Sequence, residues 1–397
     1  MILLGYGKTT KAIAKYFNID KIYDDKNYDD NIVVNFSQFP KIIDKNESII
    51  PTPAIPPNHQ IIKRFPDNII SEYDLFYKNG VFPFSIWISG TNGKTTTTEM
   101  VTHLLNHRFA VSGGNIGIPL GELKKEASIW VLETSSFTLH YTKIAKPNIY
   151  VLLPITEDHI SWHGTFLEYE NSKLKPIRQL EEGEVAIVPY KYKDIETDGY
   201  LITYKDSEDL AKQFDLDISK IEFLGGFLLD ALLSLTVSKI VFDEVDYQKI
   251  NSFKKSFHRQ EVCLDSLKRI WINDSKATNP DSTISLLNSF SKTQRIFLII
   301  GGEDKGANWN PLFKIFQTMN IKLFAIGKSQ KKVKILSKRY KITYQLSKTI
   351  DKAVQDISKE HNLESIATLS PSSASFDQFK SYEDRGNYFK RLICETE

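Results

Sequence analysis

Short apolar runs alternate along the chain with longer segments of helical periodicity. Runs of this kind are typical of buried strands in a parallel sheet. The clearest predicted strands are Met1–Leu4, Lys21–Tyr23, Ser128–Glu133, Asn148–Leu153, Arg269–Asp274, Arg295–Ile300, Lys322–Ile326 and Ser365–Leu369. Helical segments follow most of them, so the pattern predicts an α/β fold built on doubly wound parallel sheets.

Interruptions of this pattern divide the chain into three predicted domains. Asn79-Gly80 ends the first unit, and a third unit begins near Phe257. We expect a Rossmann-like domain over residues 1–82, a central domain with a P-loop ATPase-like parallel sheet over residues 83–256, and a doubly wound α/β domain over residues 257–397.

Three other segments have a simpler interpretation. Pro51–Pro57 is predicted to be a rigid surface loop because it is rich in proline. Phe227–Val237 is predicted to be a core helix, and an amphipathic helix is expected at the end of the chain. The segment Lys191–Lys220 is polar and predicts no particular element.

Composition narrows the class of protein. Of the 397 residues, 41% are hydrophobic and 25% are charged, as is typical of a globular enzyme with several domains. The formal net charge of +2 argues against a dedicated nucleic-acid binder. Two cysteines cannot make a disulfide framework, no apolar run approaches the length of a membrane span, and the chain starts with a strand rather than a signal peptide. We therefore expect a cytoplasmic protein.

The most informative stretch is Trp87–Met100, an apolar strand that breaks into a glycine loop and restarts as a helix. Glycines let the backbone N–H groups of such a loop turn inward, and the helix presents its positive N-terminal end to the same point. The loop therefore predicts a phosphate site, with Lys94 on the terminal phosphates and the Thr95 hydroxyl on Mg²⁺, although Ile88 stands where the general pattern has glycine. The predicted ATP-binding residues of this loop are Gly90, Thr91, Asn92, Gly93, Lys94, Thr95 and Thr96.

Polar residues follow two further strands of the predicted central sheet. Glu133 ends one strand, and His159 comes shortly after the next one along the chain. The carboxyl ends of parallel strands meet at one edge, so we expect both side chains beside Lys94 and Thr95. This grouping predicts a shared metal and phosphate site.

The first domain carries a weaker nucleotide signal. Gly5-Tyr-Gly7 lacks the third glycine of the dinucleotide fingerprint, because Thr10 stands near its place. Asp24 and Asp25 follow the second strand, where an acidic residue commonly bonds a ribose or a base.

Five separated motifs resemble those of the Mur ligase family of ATP-dependent amide-bond ligases, and the match extends over almost the whole chain. The motifs are Gly90-Thr-Asn-Gly-Lys-Thr95, Gly114-Asn-Ile-Gly117, Glu133-Thr-Ser-Ser136, Thr156-Glu-Asp-His159 and Asn273-Asp-Ser-Lys-Ala-Thr278. The short first domain and the segments Gly301–Lys305 and Leu369–Phe379 are most similar to members that add D-glutamate to UDP-N-acetylmuramoyl-L-alanine. The resemblance therefore implies an ADP-forming acid–amino-acid ligase of cytoplasmic peptidoglycan precursor synthesis, with a role in cell-wall biogenesis, cell shape, the cell cycle and cell division.

The resemblance also implies a mechanism, in which a carboxylate is activated as an acyl phosphate with ATP and two Mg²⁺ ions as cofactors. Lys94, His159 and Lys173 are the implied catalytic residues, and Lys173 is implied to be carbamylated. The implied metal site consists of Thr95, Glu133, His159 and Lys173.

Further residues are implied to hold the substrates. The UDP substrate would contact Lys8, Thr9, Asp24, Asp25 and Asn115. In the third domain ATP would contact Arg259 and Asp274. The implied D-glutamate site consists of Lys276, Thr278, Lys305, Ser375, Phe376 and Tyr382. The resemblance implies no nucleic acid and no membrane insertion, and we expect a monomer.

Other classes explain less of the chain. A dinucleotide-dependent oxidoreductase would explain Gly5-Tyr-Gly7 but not the phosphate loop with its Glu and His partners. A P-loop regulatory protein would explain Lys94 and Thr95 but not a third domain with polar strand ends. Within the ligases, an alanine-adding Mur ligase and a folylpolyglutamate synthetase remain as alternatives.

Overall fold

Three sheets with helices packed against them form the α/β fold, as predicted. The computed structural model describes residues 1–26, 28–124, 126–254, 256–304 and 306–394. Within these ranges no helix is both long enough and apolar enough to cross a membrane.

The first sheet is parallel, with strand order β3-β2-β1-β4. Its strands are β1 (Ile2–Leu4), β2 (Ile22–Asp24), β3 (Val33–Asn35) and β4 (Ile49–Pro51). Its helices are α1 (Lys8–Phe17), α2 (Gln60–Arg64) and α3 (Glu72–Lys78).

The central sheet is parallel, with strand order β10-β9-β8-β5-β7-β6. Its strands are β5 (Phe84–Ser89), β6 (Ala110–Gly114), β7 (Ile129–Glu133), β8 (Ile149–Leu152), β9 (Val185–Pro189) and β10 (Tyr200–Tyr204). The helices of this part are α4 (Lys94–Leu105), α5 (Ser136–Tyr141), α6 (Ile160–His163), α7 (Phe166–Arg178), α8 (Ser207–Gln213), α9 (Gly226–Phe242) and α10 (Tyr247–Asn251).

The third sheet has strand order β11-β12-β16-β13-β14-β15 and is parallel except for its antiparallel edge strand β11. Its strands are β11 (Glu261–Leu264), β12 (Ile270–Asn273), β13 (Arg295–Gly301), β14 (Ile321–Ile326), β15 (Thr343–Lys348) and β16 (Ser365–Leu369). Its helices are α11 (Pro280–Leu287), α12 (Asn310–Phe316), α13 (Gln330–Tyr340), α14 (Ile350–Ser358) and α15 (Tyr382–Cys394).

The chain divides into two compact units. The first contains the first two sheets, and its ranges are Met1–Ile155, Trp162–Phe223 and Phe227–Phe253. The second contains the third sheet, and its ranges are Thr156–Ser161, Leu224–Gly226 and Lys254–Glu397. Apolar side chains from both sheets of the first unit, such as Leu3 and Trp87, share one buried cluster.

The first turn of α3 fixes the first sheet to the central one. The Asp74 carboxylate is fully buried and accepts hydrogen bonds from the backbone N–H groups of Lys143, Ile144 and Ala145, each at 2.8 Å. Its neighbour Tyr73 donates to the carbonyl oxygen of Glu133 at 3.4 Å. These bonds make the two sheets of the first unit one packed body.

Most predicted strands are confirmed within two residues at each end, and the missed ones lie mainly at sheet edges. One predicted boundary was wrong. Pro51 is the last residue of the edge strand β4 rather than the start of a loop, and an edge strand tolerates proline because one side of it needs no donor. The polar segment after Lys191 contains the edge strand β10 and α8, whose solvent-facing residues, such as Tyr200, weaken the apolar pattern.

Candidate active site

The glycine loop between β5 and α4 has the shape of a phosphate-binding loop. Gly90 and Gly93 have φ values of 136° and 85°, a region that favours glycine. A Cβ atom at Gly90 would lie 2.5 Å from the Cβ atom of Leu153, so only glycine fits there. The helix α4 begins at Lys94, directly after the loop. Its N-terminal N–H groups therefore point at the predicted phosphate position.

Lys94 folds back over this loop. Its ammonium group donates to the carbonyl oxygens of Gly90 at 3.1 Å and Thr91 at 2.8 Å. The positive charge is thus held beside the loop whose backbone would surround the phosphates, where a cation attracts developing negative charge.

Glu133 joins the phosphate loop to the glycine-rich loop after β6. Its carboxylate is almost completely buried and accepts a hydrogen bond from Thr95 Oγ1 at 2.7 Å on one oxygen. The other oxygen accepts from Asn115 Nδ2 at 2.6 Å. The structure therefore brings together one residue predicted to bind ATP, one predicted to bind metal and one predicted to bind the UDP substrate.

The donor set around Glu133 fits Mg²⁺. This ion prefers oxygen ligands and typically takes one or two carboxylates, with water and substrate phosphates completing its shell. Glu133 supplies a carboxylate and Thr95 a hydroxyl within 2.7 Å of it. No cluster of three or more His, Cys, Asp or Glu residues suited to a metal occurs among the described residues, so a metal here would depend on ligands from a bound nucleotide.

Lys173 lies buried beneath the phosphate loop, with 1% of its surface exposed. Its ammonium donates to the Gly90 carbonyl oxygen at 2.8 Å and to Ser89 Oγ at 3.3 Å, and it lies 4.9 Å from the centre of the Tyr169 ring. Tyr169 in turn bonds Thr91 Oγ1 at 2.9 Å. Lys173 is therefore not a surface lysine.

His159 belongs to the second compact unit, whereas Lys94, Glu133 and Lys173 belong to the first. It has a positive φ of 54°, and its backbone N–H donates to the side chain of Asp158 at 2.8 Å. The predicted contact of His159 with the phosphate loop stays a prediction.

The first domain's loop residues lie at the carboxyl edge of its sheet. Lys8 and Thr9 open helix α1, and Lys8 is exposed. Asp24 ends β2 and is buried, whereas Asp25 is exposed. Burial opposes ionisation of Asp24, but hydrogen bonds from the backbone N–H groups of Lys26 and Tyr6 outweigh it and lower the Asp24 pKa. The predicted base or ribose acceptor is therefore already engaged by its own loop.

In the second unit, Asp274 is a buried carboxyl group at the end of β12. It accepts hydrogen bonds from Ser370 Oγ at 2.8 Å and from the Gln260 backbone N–H at 3.2 Å. Burial raises its pKa to about 7, although these bonds and the charge of Arg259 act in the opposite direction.

Lys276 and Thr278 lie in the loop after β12, Ser375 and Phe376 in the loop after β16, and Tyr382 is the first residue of α15. Lys276 lies with its ammonium 5.7 Å from the centre of the Tyr382 ring. Ser375 is buried, Phe376 is 68% exposed and Thr278 is half-buried. Lys305 lies outside the described residues.

Arg385 on α15 links these loops and was missed by the sequence analysis. It is buried, and its guanidinium donates to Ser275 Oγ at 2.9 Å, to the Ser275 carbonyl oxygen at 2.8 Å and to the Ser373 carbonyl oxygen at 3.1 Å. Burial lowers its pKa to about 10, although the charge of Asp377 opposes the shift. The sequence contains a signal for the burial of Arg385. Arg385, Phe389 and Ile393 recur at intervals of four residues, which places them on one side of the helix.

Asp230 lies against the phosphate loop from the side of α9. It is buried and accepts a hydrogen bond from Thr97 Oγ1 at 3.0 Å. A Cβ atom at Gly93 would be 2.5 Å from the nearer Asp230 oxygen.

Comparison with known proteins gives consistent results. Residues 88–212 match the family model for the Mur ligase middle domain. The UDP-N-acetylmuramoylalanine–D-glutamate ligase of Campylobacter jejuni (strain 81-176) is 45% identical over 98% of both chains. The enzyme of the same name from Helicobacter pylori (strain 26695) is 41% identical over 99% of both chains.

Two solved structures are similar in fold. The MurF ligase of Thermotoga maritima in complex with ADP has a TM-score of 0.63 at 15% identity and covers 98% of this chain and 94% of its own. The UDP-N-acetylmuramate–alanine ligase MurC of T. maritima has a TM-score of 0.57 at 14% identity, with coverage of 98% and 97%. At these identities the two structures show the fold alone.

Proposed function

The chain belongs to the Mur ligase family, and on that premise we propose that it is the ATP-dependent ligase that joins D-glutamate to UDP-N-acetylmuramoyl-L-alanine. The observation that carries the proposal is the grouping of the phosphate loop, Thr95 and Asn115 around the buried Glu133 carboxylate. The choice of substrates is supported by the relatives named for this reaction, which match both chains over nearly their full length.

The reaction must turn a carboxylate into an electrophile. The γ-phosphoryl group of ATP is transferred to the L-alanyl carboxylate, which gives an acyl phosphate and ADP. The amine of D-glutamate attacks the acyl carbon, loses a proton and displaces inorganic phosphate. The phosphate leaves with one oxygen atom of the original carboxylate.

The chain's own groups would stabilise negative charge during this transfer. Lys94, held over the loop carbonyls, would turn to the transferred phosphoryl group, and the loop N–H groups would bind the other phosphates. Thr95 and Glu133 would hold one Mg²⁺, which would neutralise phosphate charge and orient the two reactants, and His159 would help to hold a second.

Lys173 is proposed to be carbamylated. Burial disfavours the ammonium form of a lysine, and only the neutral amine can add CO₂, with release of one proton. The product is a carboxylate at the floor of the phosphate loop, because the unmodified side chain already reaches the Gly90 carbonyl oxygen. It would add the negative charge that a second Mg²⁺ requires.

The substrates are proposed to bind at the strand ends of the three sheets. Lys8, Thr9, Asp24, Asp25 and Asn115 would contact the UDP substrate, and Arg259 and Asp274 the nucleotide of ATP. D-Glutamate would contact Lys276, Thr278, Lys305, Ser375, Phe376 and Tyr382. A cytoplasmic monomer is part of the same proposal.

An assay of ADP release with a panel of substrates tests the proposal. UDP-N-acetylmuramoyl-L-alanine with D-glutamate should give rapid release, whereas L-glutamate or L-alanine in place of D-glutamate should be poor substrates. Release that is equal with L-alanine and UDP-N-acetylmuramate would contradict it and indicate the alanine-adding ligase. Release without any amino acid would indicate a different class of ATPase.

A further inference from the structure

Basic residues are concentrated in one stretch of the second compact unit. Between Gly306 and Ile350 the chain has ten lysine or arginine residues and no aspartate or glutamate. Because the whole chain has a formal net charge of only +2, the remainder has a formal charge of −8. Such an asymmetry creates a local field that attracts anions.

Four of these lysines form a stripe along α13. Lys331, Lys334 and Lys338 follow one another at intervals of three and four residues, which places them on one side of the helix, and Lys341 is the C-cap residue directly after its last turn. All four are exposed, and none takes part in an ion pair with another described residue. At a rise of about 1.5 Å per residue this lysine stripe is about 15 Å long.

The side chains on the opposite side of α13 are buried, so the lysine stripe faces solvent. Val333 and Leu336 are buried in the core on one face of the third sheet. Lys332, on the flank of the helix, pairs with Asp304 at 2.7 Å and so adds little to the field. Ile335 is the one large apolar side chain exposed on α13, with 59% of its surface accessible.

A row of like charges on one helix is unfavourable by itself. Lysines three or four residues apart repel one another, and no acidic residue within α13 relieves the repulsion. The chain therefore carries an arrangement that weakens the isolated helix and that an external anionic surface would stabilise.

We propose that the lysine stripe binds an anionic lipid surface. The stripe consists of lysines with no acidic residue on the same helix, and its flexible point charges complement the mobile, diffuse negative charge of lipid headgroups. Bidentate recognition of carboxylate or nucleic-acid phosphate favours arginine instead. With Ile335 as its single exposed apolar residue, α13 binds at the headgroups by charge and does not insert.

The binding face is separate from the candidate active site. The stripe starts in the first turn of α13 and runs away from the carboxyl edge of the sheet, whereas the described D-glutamate candidates lie at that edge, in the loops after β12 and β16 and at the start of α15. Neutralising the stripe should therefore change lipid binding without changing ligation in solution.

Co-sedimentation of the full-length protein with lipid vesicles tests the proposal. In 50 mM salt, vesicles of equal parts phosphatidylcholine and phosphatidylglycerol should bind the protein, and pure phosphatidylcholine should not. Salt at 500 mM should abolish binding because it screens exposed charges. The triple variant Lys331→Gln, Lys334→Gln, Lys338→Gln should lower the partition coefficient about a hundredfold, at about fivefold per lysine.

A matched variant separates the stripe from net charge. Lys45→Gln, Lys212→Gln, Lys292→Gln removes the same number of exposed, dispersed lysines and should lower the partition coefficient by less than about threefold. Equal losses in the two variants, or no binding of the wild type to anionic vesicles, would overturn the proposal. Binding to poly-L-glutamate without binding to vesicles would also overturn it and indicate an acidic protein partner.

Discussion

Replacing Arg385 with methionine should weaken D-glutamate binding while leaving the protein folded. The substitution keeps an unbranched stem of similar shape but removes the donors to Ser275 and Ser373. Two buried carbonyl oxygens then lose a donor, at about 1 to 3 kcal/mol each. In the other direction, burial lowers the pKa of Arg385 to about 10, so the charged form carries a cost of about 3 kcal/mol that the variant no longer bears.

The two effects largely cancel, so the free energy of unfolding should change by between a gain of about 1 kcal/mol and a loss of about 3 kcal/mol. A domain of ordinary stability, about 5 to 15 kcal/mol, survives such a loss. The functional effect should be larger, because Arg385 holds the loops that contain Lys276 and Ser375. We expect the KM for D-glutamate to rise at least about tenfold, or about 1.4 kcal/mol, with the KM for ATP changed less than about threefold.

Initial rates measured while D-glutamate and ATP are varied separately give both constants, and thermal unfolding checks the fold. Arg391→Met, an exposed position on the same helix, is the matched control and should leave both constants unchanged. A folded Arg385→Met enzyme with the wild-type KM for D-glutamate would refute the role given to Arg385.

Three further predictions concern single side chains. Lys94→Ala should abolish ligation without unfolding the protein, since this lysine is half-buried and bonds loop carbonyls rather than packing in the core; normal ADP release by the folded variant would count against its role. Lys173→Ala should lose most activity and regain part of it with a short carboxylic acid but not with chloride, and rescue that follows ionic strength alone would rule out a carbamate. For Asp274 the folded-state pKa of about 7 exceeds the ordinary value of 3.8, so its contribution to stability is greatest below pH 4 and is lost as the pH rises to 7. As the pH rises from 5 to 8, the free energy of unfolding measured by chemical denaturation should therefore fall less for Asp274→Asn than for the wild type. An identical pH dependence in the two proteins would show that Asp274 is not protonated in the fold.

The sequence predicted the part of the site that lies at the ends of strands. Apolar runs located β5 and β7 within three residues, and the rule that ligands gather at the carboxyl edge of a parallel sheet placed Thr95 beside Glu133, where the structure has them in contact. Short edge strands such as β10 were missed because half of their residues face solvent and break the apolar run.

The burial of charged side chains on helices was not predicted from the sequence. Lys173 could not be preferred over Lys175 by residue type, yet Tyr169, Lys173 and Ile177 recur at intervals of four and share the buried side of α7. Arg385 lies in the same kind of stripe on α15. Charged residues within an apolar helical stripe are therefore a usable signal, whereas their exact partners depend on contacts across the chain, such as that of Lys173 with Gly90.

The fate of the carboxylate oxygen tests the central claim most directly. UDP-N-acetylmuramoyl-L-alanine labelled with ¹⁸O in its carboxylate would be incubated with the enzyme, ATP, Mg²⁺ and D-glutamate, and the released phosphate would be analysed by mass spectrometry. An acyl-phosphate ligase predicts one ¹⁸O atom in each phosphate released and a product one D-glutamate residue heavier. Unlabelled phosphate released together with that product would contradict the acyl-phosphate route, and labelled phosphate without the product would contradict the assignment of D-glutamate.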